Sequence, residues 1–175
     1  LCTTNQQALE NLADIADGFL VHNRDIIHGL DDSVVRGINH KMVSFRRARG
    51  YVPLPITLQQ PMNEMIAMGG QTKNTLAISQ GKQLILSQHL GDLSSFATQQ
   101  YFQQTLQSFS NFYQITAKKI IHDYHPDYFG SHIATQHTLP RISIQHHHAH
   151  ILACMAEHHL QPPVLGFAWD GTGLG

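Results

Sequence analysis

Three prolines, Pro53, Pro55 and Pro61, fall within the short stretch "YVPLPITLQQP". Proline lacks an amide donor and fixes its own φ, so the stretch is expected to run extended and to divide the chain. An interdomain linker is expected within it, at residues 58–61. The two sides also differ in rhythm. Ahead of the prolines, "TTNQQALENLADIADG" reads as a helix capped by Thr4 or Asn5 and ended by Gly18. "FLVH" reads as a strand, and "SVVRGINHKMVSFRRARG" as a strand pair turning near Gly37–Asn39. Beyond the prolines, "EMIAMGG", "NTLAIS" and "KQLILSQ" read as three strands, the last two separated by Gly81. A long helix follows, with Phe96, Tyr101, Leu106 and Phe109 expected inward. Then come strand "KKIIHD", helix "YFGSHIATQH", strand "PRISIQ", helix "HHHAHILACMAEHHL" and strand "VLGFAW". A meander followed by alternating strands and helices predicts an α/β fold, a mixed sheet with helices packed on it.

Composition narrows the function classes. Charged residues make up 13% of the 175 and the net charge is −1 with neutral histidines, so no basic nucleic-acid footprint is present. No apolar run reaches the ~18 residues of a membrane span. Cys2 and Cys154 stand far apart and form neither a disulfide framework nor a CxxC knuckle, as expected of a cytoplasmic protein. The sequence closes on a glycine loop directly after a strand-like run, so it is expected to be an internal piece of a longer protein.

Six of the fourteen histidines lie in "ISIQHHHAHILACMAEHH". On a helix, His146 and His150 share a face, and two imidazoles at that spacing can hold one metal ion. His147 and His148 point around the helix and cannot join the same ion. A polar, exposed helix start is the plainer alternative. The pair begins where strand "ISIQ" ends, which is where open α/β sheets place ligands. No glutamate sits inside the HxxxH, so a protease-type zinc site is unsupported.

"WDGTGLG" places Asp170 at a strand end, suited to a metal ion or its water, with Gly171, Thr172 and Gly173 able to approach phosphate through backbone amides. "MGGQTKNT" is a second glycine turn, in which Lys73, Thr72 and Asn74 could meet phosphate. Two glycine turns of this kind grip nucleotide in actin-like ATPases; an ordinary hairpin is the alternative. His89 and Asp92 in "SQHLGDL", and Asp123, His125, Asp127 and Tyr128 in "HDYHPDY", are open to substrate binding or to turn capping. Arg46, Arg47 and Arg49 suit phosphate, with Ser33 at a neighbouring strand start; a charge-guarded edge strand is the alternative.

Together these motifs resemble the HypF carbamoyltransferases of nickel-iron hydrogenase maturation. "ADGFLVHNRDI", "DDSVVR", "RRARGYVPLPI", "MGGQTKNT", "SQHLGDL", "HDYHPDY", "IQHHHAHILACMAEH" and "VLGFAWDGTGLG" occur in the family's order over essentially the whole chain. The resemblance implies that residues 1–57 end a YrdC-like α/β domain that makes and holds carbamoyl-adenylate. It implies that residues 62–175 begin an actin-like, ribonuclease H-like domain related to the tRNA threonylcarbamoyl transferase. It places His146, His150 and Asp170 at a divalent metal (iron or zinc). It places Lys73, with Asn74 and the second glycine loop, at phosphate, and Ser33 and the three arginines at nucleotide. The implied substrates are carbamoyl phosphate and ATP with Mg2+, and the implied acceptor is the C-terminal cysteine thiol of HypE. The resulting thiocarbamate is the precursor of the hydrogenase cyanide ligand. No particular catalytic residue is singled out.

The family's acylphosphatase-like domain, zinc fingers, front of the YrdC-like domain and second actin-like lobe are absent from this sequence. The isolated chain is therefore expected not to transfer carbamoyl groups by itself. Two other readings remain at this point: an enzyme of tRNA threonylcarbamoyladenosine synthesis, and an inactive metal-binding remnant. "DDSVV", "RRARGY" and the HHHAH form favour the first reading.

Overall fold

The computed structural model describes residues 2–171, 173 and 174 and contains two compact units, residues 1–49 and 50–175. Residues 58–61 were expected as a linker, but they lie inside a strand of the second unit, and the division falls between Arg49 and Gly50.

In the first unit, α1 (Asn5–Leu12) is capped by Thr4, whose hydroxyl accepts from the Gln7 N–H. The helix stops well before Gly18. Asp14 and Asp17 follow directly, and negative charge at a helix C-terminus opposes the dipole. "FLVH" is not a strand, and Leu20 is fully exposed. Strands β1 (Val34–Ile38) and β2 (Lys41–Arg46) pair antiparallel with each other. Asn39 and His40 link them, both at positive φ, as the two-residue hairpin turn requires.

The second unit carries β3 (Ile56–Ala67), β4 (Ala77–Leu86), α2 (Phe96–Tyr113), β5 (Lys119–Asp123), α3 (Phe129–Gln136), β6 (Arg141–Ile144) and α4 (His146–His158). The sheet order is β4-β3-β5-β6, with β4 antiparallel to β3 and the other neighbours parallel. The mixed sheet predicted from the sequence is present.

Three details differ from expectation. "NTLAIS" and "KQLILSQ" do not form two strands. They contribute to one strand, β4, which passes through Gly81 at φ +58. Residues 58–61 bulge where the register slips between Thr57 and Met62, and a bulge tolerates the missing amide of Pro61. "VLGFAW" is not a strand: the sheet ends at β6, and this segment runs without ladder bonds, with Gly166 against Ile151 of α4.

The core gathers Met68, Leu76, Ile78, Leu93, Phe102 and Ile120, with Ile133 and Ala134 of α3. Phe102, not Phe96, is the inward aromatic at the front of α2. Phe96 is the helix's first residue and stands exposed, while Tyr101, Leu106 and Phe109 pack partly buried against the core. Helix α4 contributes no buried residue. Among the described residues, no helix is long and apolar enough to cross a membrane.

Candidate metal and phosphate site

Because β3, β5 and β6 run parallel, their carboxyl ends open onto one edge of the sheet. That edge receives the turn after β3, the "DYHPDY" loop after β5 and the start of α4 after β6. Gln145 caps α4, its side-chain oxygen accepting from the His148 N–H at 2.7 Å. The helix therefore starts abruptly, and its first residue, His146, projects over the sheet edge.

His146 and His150 do share a face, with ring centroids 4.9 Å apart. Asp170 comes to both: its Oδ2 lies 2.9 Å from His146 Nε2 and 3.1 Å from His150 Nε2. One ligand atom from each of the three residues falls within 4.8 Å of the other two. Metal–donor bonds of about 2.1 Å place neighbouring donors roughly 3.0–3.4 Å apart, close to the two spacings from Asp170 to the histidines. Two imidazoles and a carboxylate suit zinc or iron. His147 and His148 stay outside this group. His148 is exposed, and His147 Nδ1 pairs with the Gln145 amide at 2.8 Å.

A cavity of about 540 Å³ opens beside the cluster, lined by His150, Asp170, Lys73, Cys154 and Trp169 among others. Lys73 thus faces the same space as two of the candidate ligands. It sits at φ +52 in the glycine turn, and that turn is held from inside. Asn74, expected near phosphate, is buried instead, and its amide donates to the Met68 and Gly70 carbonyls. Gly69 adopts φ +70, and a Cβ there would meet the Thr75 carbonyl oxygen at 2.4 Å. Gly69→Ala is expected to destabilise the second unit by several kcal/mol, roughly 3 or more, read as a lower denaturant midpoint at unchanged m. Gly173 abuts His147 and His146, where a Cβ would approach the His147 ring at 2.8 Å, whereas Gly171 is open to solvent. Thr172 lies outside the described residues.

The other sequence candidates divide clearly. Asp123, His125 and Tyr128 surround His146. Asp123 is nearly buried and meets His146 Nδ1, the His125 ring stacks on Tyr128 at 4.2 Å, and Tyr128 meets His146 edge-on. Asp127 donates its N–H to His125 Nδ1. Asp92 is a turn former: its carboxylate accepts from the Ser94 hydroxyl and N–H, and those bonds lower its pKa. His89, half-buried in the same turn, does not line the cavity. In the first unit, Ser33 Oγ donates to the Arg49 carbonyl and accepts from the Ala48 N–H. Arg46 pairs with Asp31 at 2.9 Å and Arg49 with Asp32 at 3.1 Å; Arg47 lies half-buried between them. Sequence reasoning missed the roles of Gln145 as helix cap and of Gln71, whose side-chain oxygen accepts from the Phe129 N–H at the start of α3. An uncapped helix start was the only signal available for either.

Comparison with known proteins agrees with this architecture. The HypF Kae1-like domain family matches residues 60–157. Carbamoyltransferase HypF of Synechocystis sp. is 50% identical over the whole chain, and carbamoyltransferase HypF2 of Cupriavidus necator is 41% identical. The chain spans only 23% of the length of each. A crystal structure of full-length HypF in a phosphate- and nucleotide-bound form superposes with a TM-score of 0.95 at 41% identity, covering all of this chain and 28% of that one. HypF of T.kodakarensis superposes with a TM-score of 0.90 at 32% identity, covering 99% of this chain and 23% of that one. With its mixed sheet, its HxxxH helix and these relatives, the chain belongs to the HypF carbamoyltransferase family.

Proposed function

We propose that this chain supplies the metal- and phosphate-binding lobe of a carbamoyltransferase that carbamoylates the C-terminal cysteine of HypE. The observation that carries the reading is the convergence of His146, His150 and Asp170 beside a cavity that Lys73 also lines. Carbamoyl phosphate and ATP are the proposed substrates and carbamoyl-adenylate the activated form. The acceptor thiol gives up its proton to solvent, its sulfur attacks the carbamoyl carbon, a C–S bond forms, the bond from that carbon to the phosphate oxygen breaks, and AMP leaves.

His146, His150 and Asp170 would hold a divalent iron or zinc ion, and Mg2+ would accompany the nucleotide. When bound, the ion supplies Lewis-acid polarisation of a carbonyl or neutralises charge on a leaving phosphate. Lys73 adds a positive charge to the lining of the same cavity, suited to a phosphate group. The glycine turn holds that lysine in place through the buried Asn74 amide. Ser33, Arg46, Arg47 and Arg49 belong to the first unit and are proposed for the adenylate-forming half of the reaction. There Arg46 and Arg49 must exchange Asp31 and Asp32 for phosphate, because those aspartates now pair with them. A reading as a tRNA threonylcarbamoylation enzyme has no observation that favours it over this one.

The test uses a full-length protein carrying this stretch, supplied with ATP, carbamoyl phosphate and HypE. Transfer of label to the HypE thiol is expected from the parent and not from His146→Ala; undiminished transfer by the variant would overturn the proposal. Lys73→Ala is expected to weaken ATP binding about tenfold or more, read by calorimetry, since a charge-assisted phosphate contact contributes roughly 1.5–3 kcal/mol.

A further inference from the structure

We infer that Asp123 is a positioning residue: it holds the proton of His146 on Nδ1 and so keeps the Nε2 lone pair turned toward Asp170 and His150. The inference rests on the proposed metal site and assigns Asp123 a part in it other than substrate contact.

The geometry is specific. Asp123 ends β5, and its side chain is 6% exposed. Its Oδ2 lies 2.5 Å from His146 Nδ1. Its Oδ1 accepts the His125 backbone N–H at 2.9 Å. A backbone N–H can only donate, so it fixes which carboxylate oxygen faces the loop and which faces the imidazole. An ionised carboxylate can only accept, so Nδ1 of His146 must carry its hydrogen. Nε2 also meets a carboxylate oxygen, that of Asp170 at 2.9 Å, but the Asp123 contact is shorter and more buried (side chains 6% against 26% exposed), so a neutral ring keeps its hydrogen on Nδ1 and leaves Nε2 to ligate. The loop itself is pinned behind the carboxylate, because the Ser131 hydroxyl donates to the Asp123 carbonyl at 2.8 Å. Tyr128 closes the edge of the ring. A histidine ligand oriented through its second nitrogen by a carboxylate is a recurrent arrangement at metal sites. The His150 side chain is 56% exposed against 19% for His146, so His146 is the pre-set ligand of the pair.

The isosteric change Asp123→Asn makes a sharp prediction. The Asn oxygen must stay on the His125 N–H, since an amide NH2 there would face another donor. The NH2 group therefore turns to His146 and donates to Nδ1, which drives the hydrogen to Nε2 and blocks ligation. Zinc affinity measured by competition with a chelator is expected to fall about 10–100-fold, with little change in the denaturant midpoint. Nitrogen-15 NMR of the His146 ring gives the direct readout in the parent chain. In the neutral ring without metal the hydrogen is expected on Nδ1, and in the zinc-loaded chain the shift of Nε2 is expected to show ligation. A parent ring protonated on Nε2, or a variant within twofold of parent affinity, would overturn the inference. Absence of zinc binding by the parent chain would instead remove the proposed metal site, while the metal-free NMR result would still decide whether Asp123 sets the ring.

Discussion

Replacing His150 by alanine is expected to lower affinity for zinc or iron by at least about a hundredfold, more than loss of an outer carboxylate does. The site offers three protein donors in one small volume, so deletion of one leaves a bidentate remnant. The fold should survive the change. The His150 side chain is 56% exposed, and substitutions at such positions usually shift stability by no more than about 0.5 kcal/mol. His148→Ala is the matched control, because His148 lies on the same helix but outside the cluster, and its affinity should equal the parent's. If the two variants weakened binding equally, the metal would not be held where His146, His150 and Asp170 meet.

Phe102→Ala is expected to destabilise the second unit by about 3–5 kcal/mol in denaturant melts, the range for removing a fully buried aromatic. Phe102 is 0% exposed, meets Phe129 of α3 edge-on at 5.6 Å, and lies in the same cluster as Met68, Leu76 and Ile120. The surrounding residues come from several strands and helices, so they cannot collapse easily into the space left behind. Phe96→Ala on the same helix should cost about 0.5 kcal/mol or less, since that ring is largely in water. A similar loss from both would mean that α2 is stabilised by its own length and not by this face.

Local signals in the sequence carried far. The HxxxH face, the α4 start after β6, the strand–helix alternation and the hairpin (expected near Gly37–Asn39, found one residue on at Asn39 and His40) follow from spacing and turn chemistry within a few residues. What failed depended on distant partners. "FLVH" and "VLGFAW" have strand-like composition, but a strand exists only when a neighbour pairs with it. Phe96 and Phe102 are equally apolar, and only the rotation of α2 against the sheet separates them. Gly81 reads as a turn, yet a bulge absorbs it. Within the candidate site, Asp170 was legible because it follows a strand-like run into glycine. The role of Asp123 was not, because its contact to His146 spans 23 positions and depends on parallel pairing of β5 with β6.

Helix α4 buries none of its residues and is tied at its first turn to Asp123 and Asp170. If the proposed ion binds there, its occupancy and the docking of this helix are coupled. An ion present at a hundred times its dissociation constant would add about 2.7 kcal/mol to the folded state, acting on the helix end that carries His146. The helix then behaves as a latch, whose hydrogen-exchange protection rises with free metal while the core beneath it is unaffected.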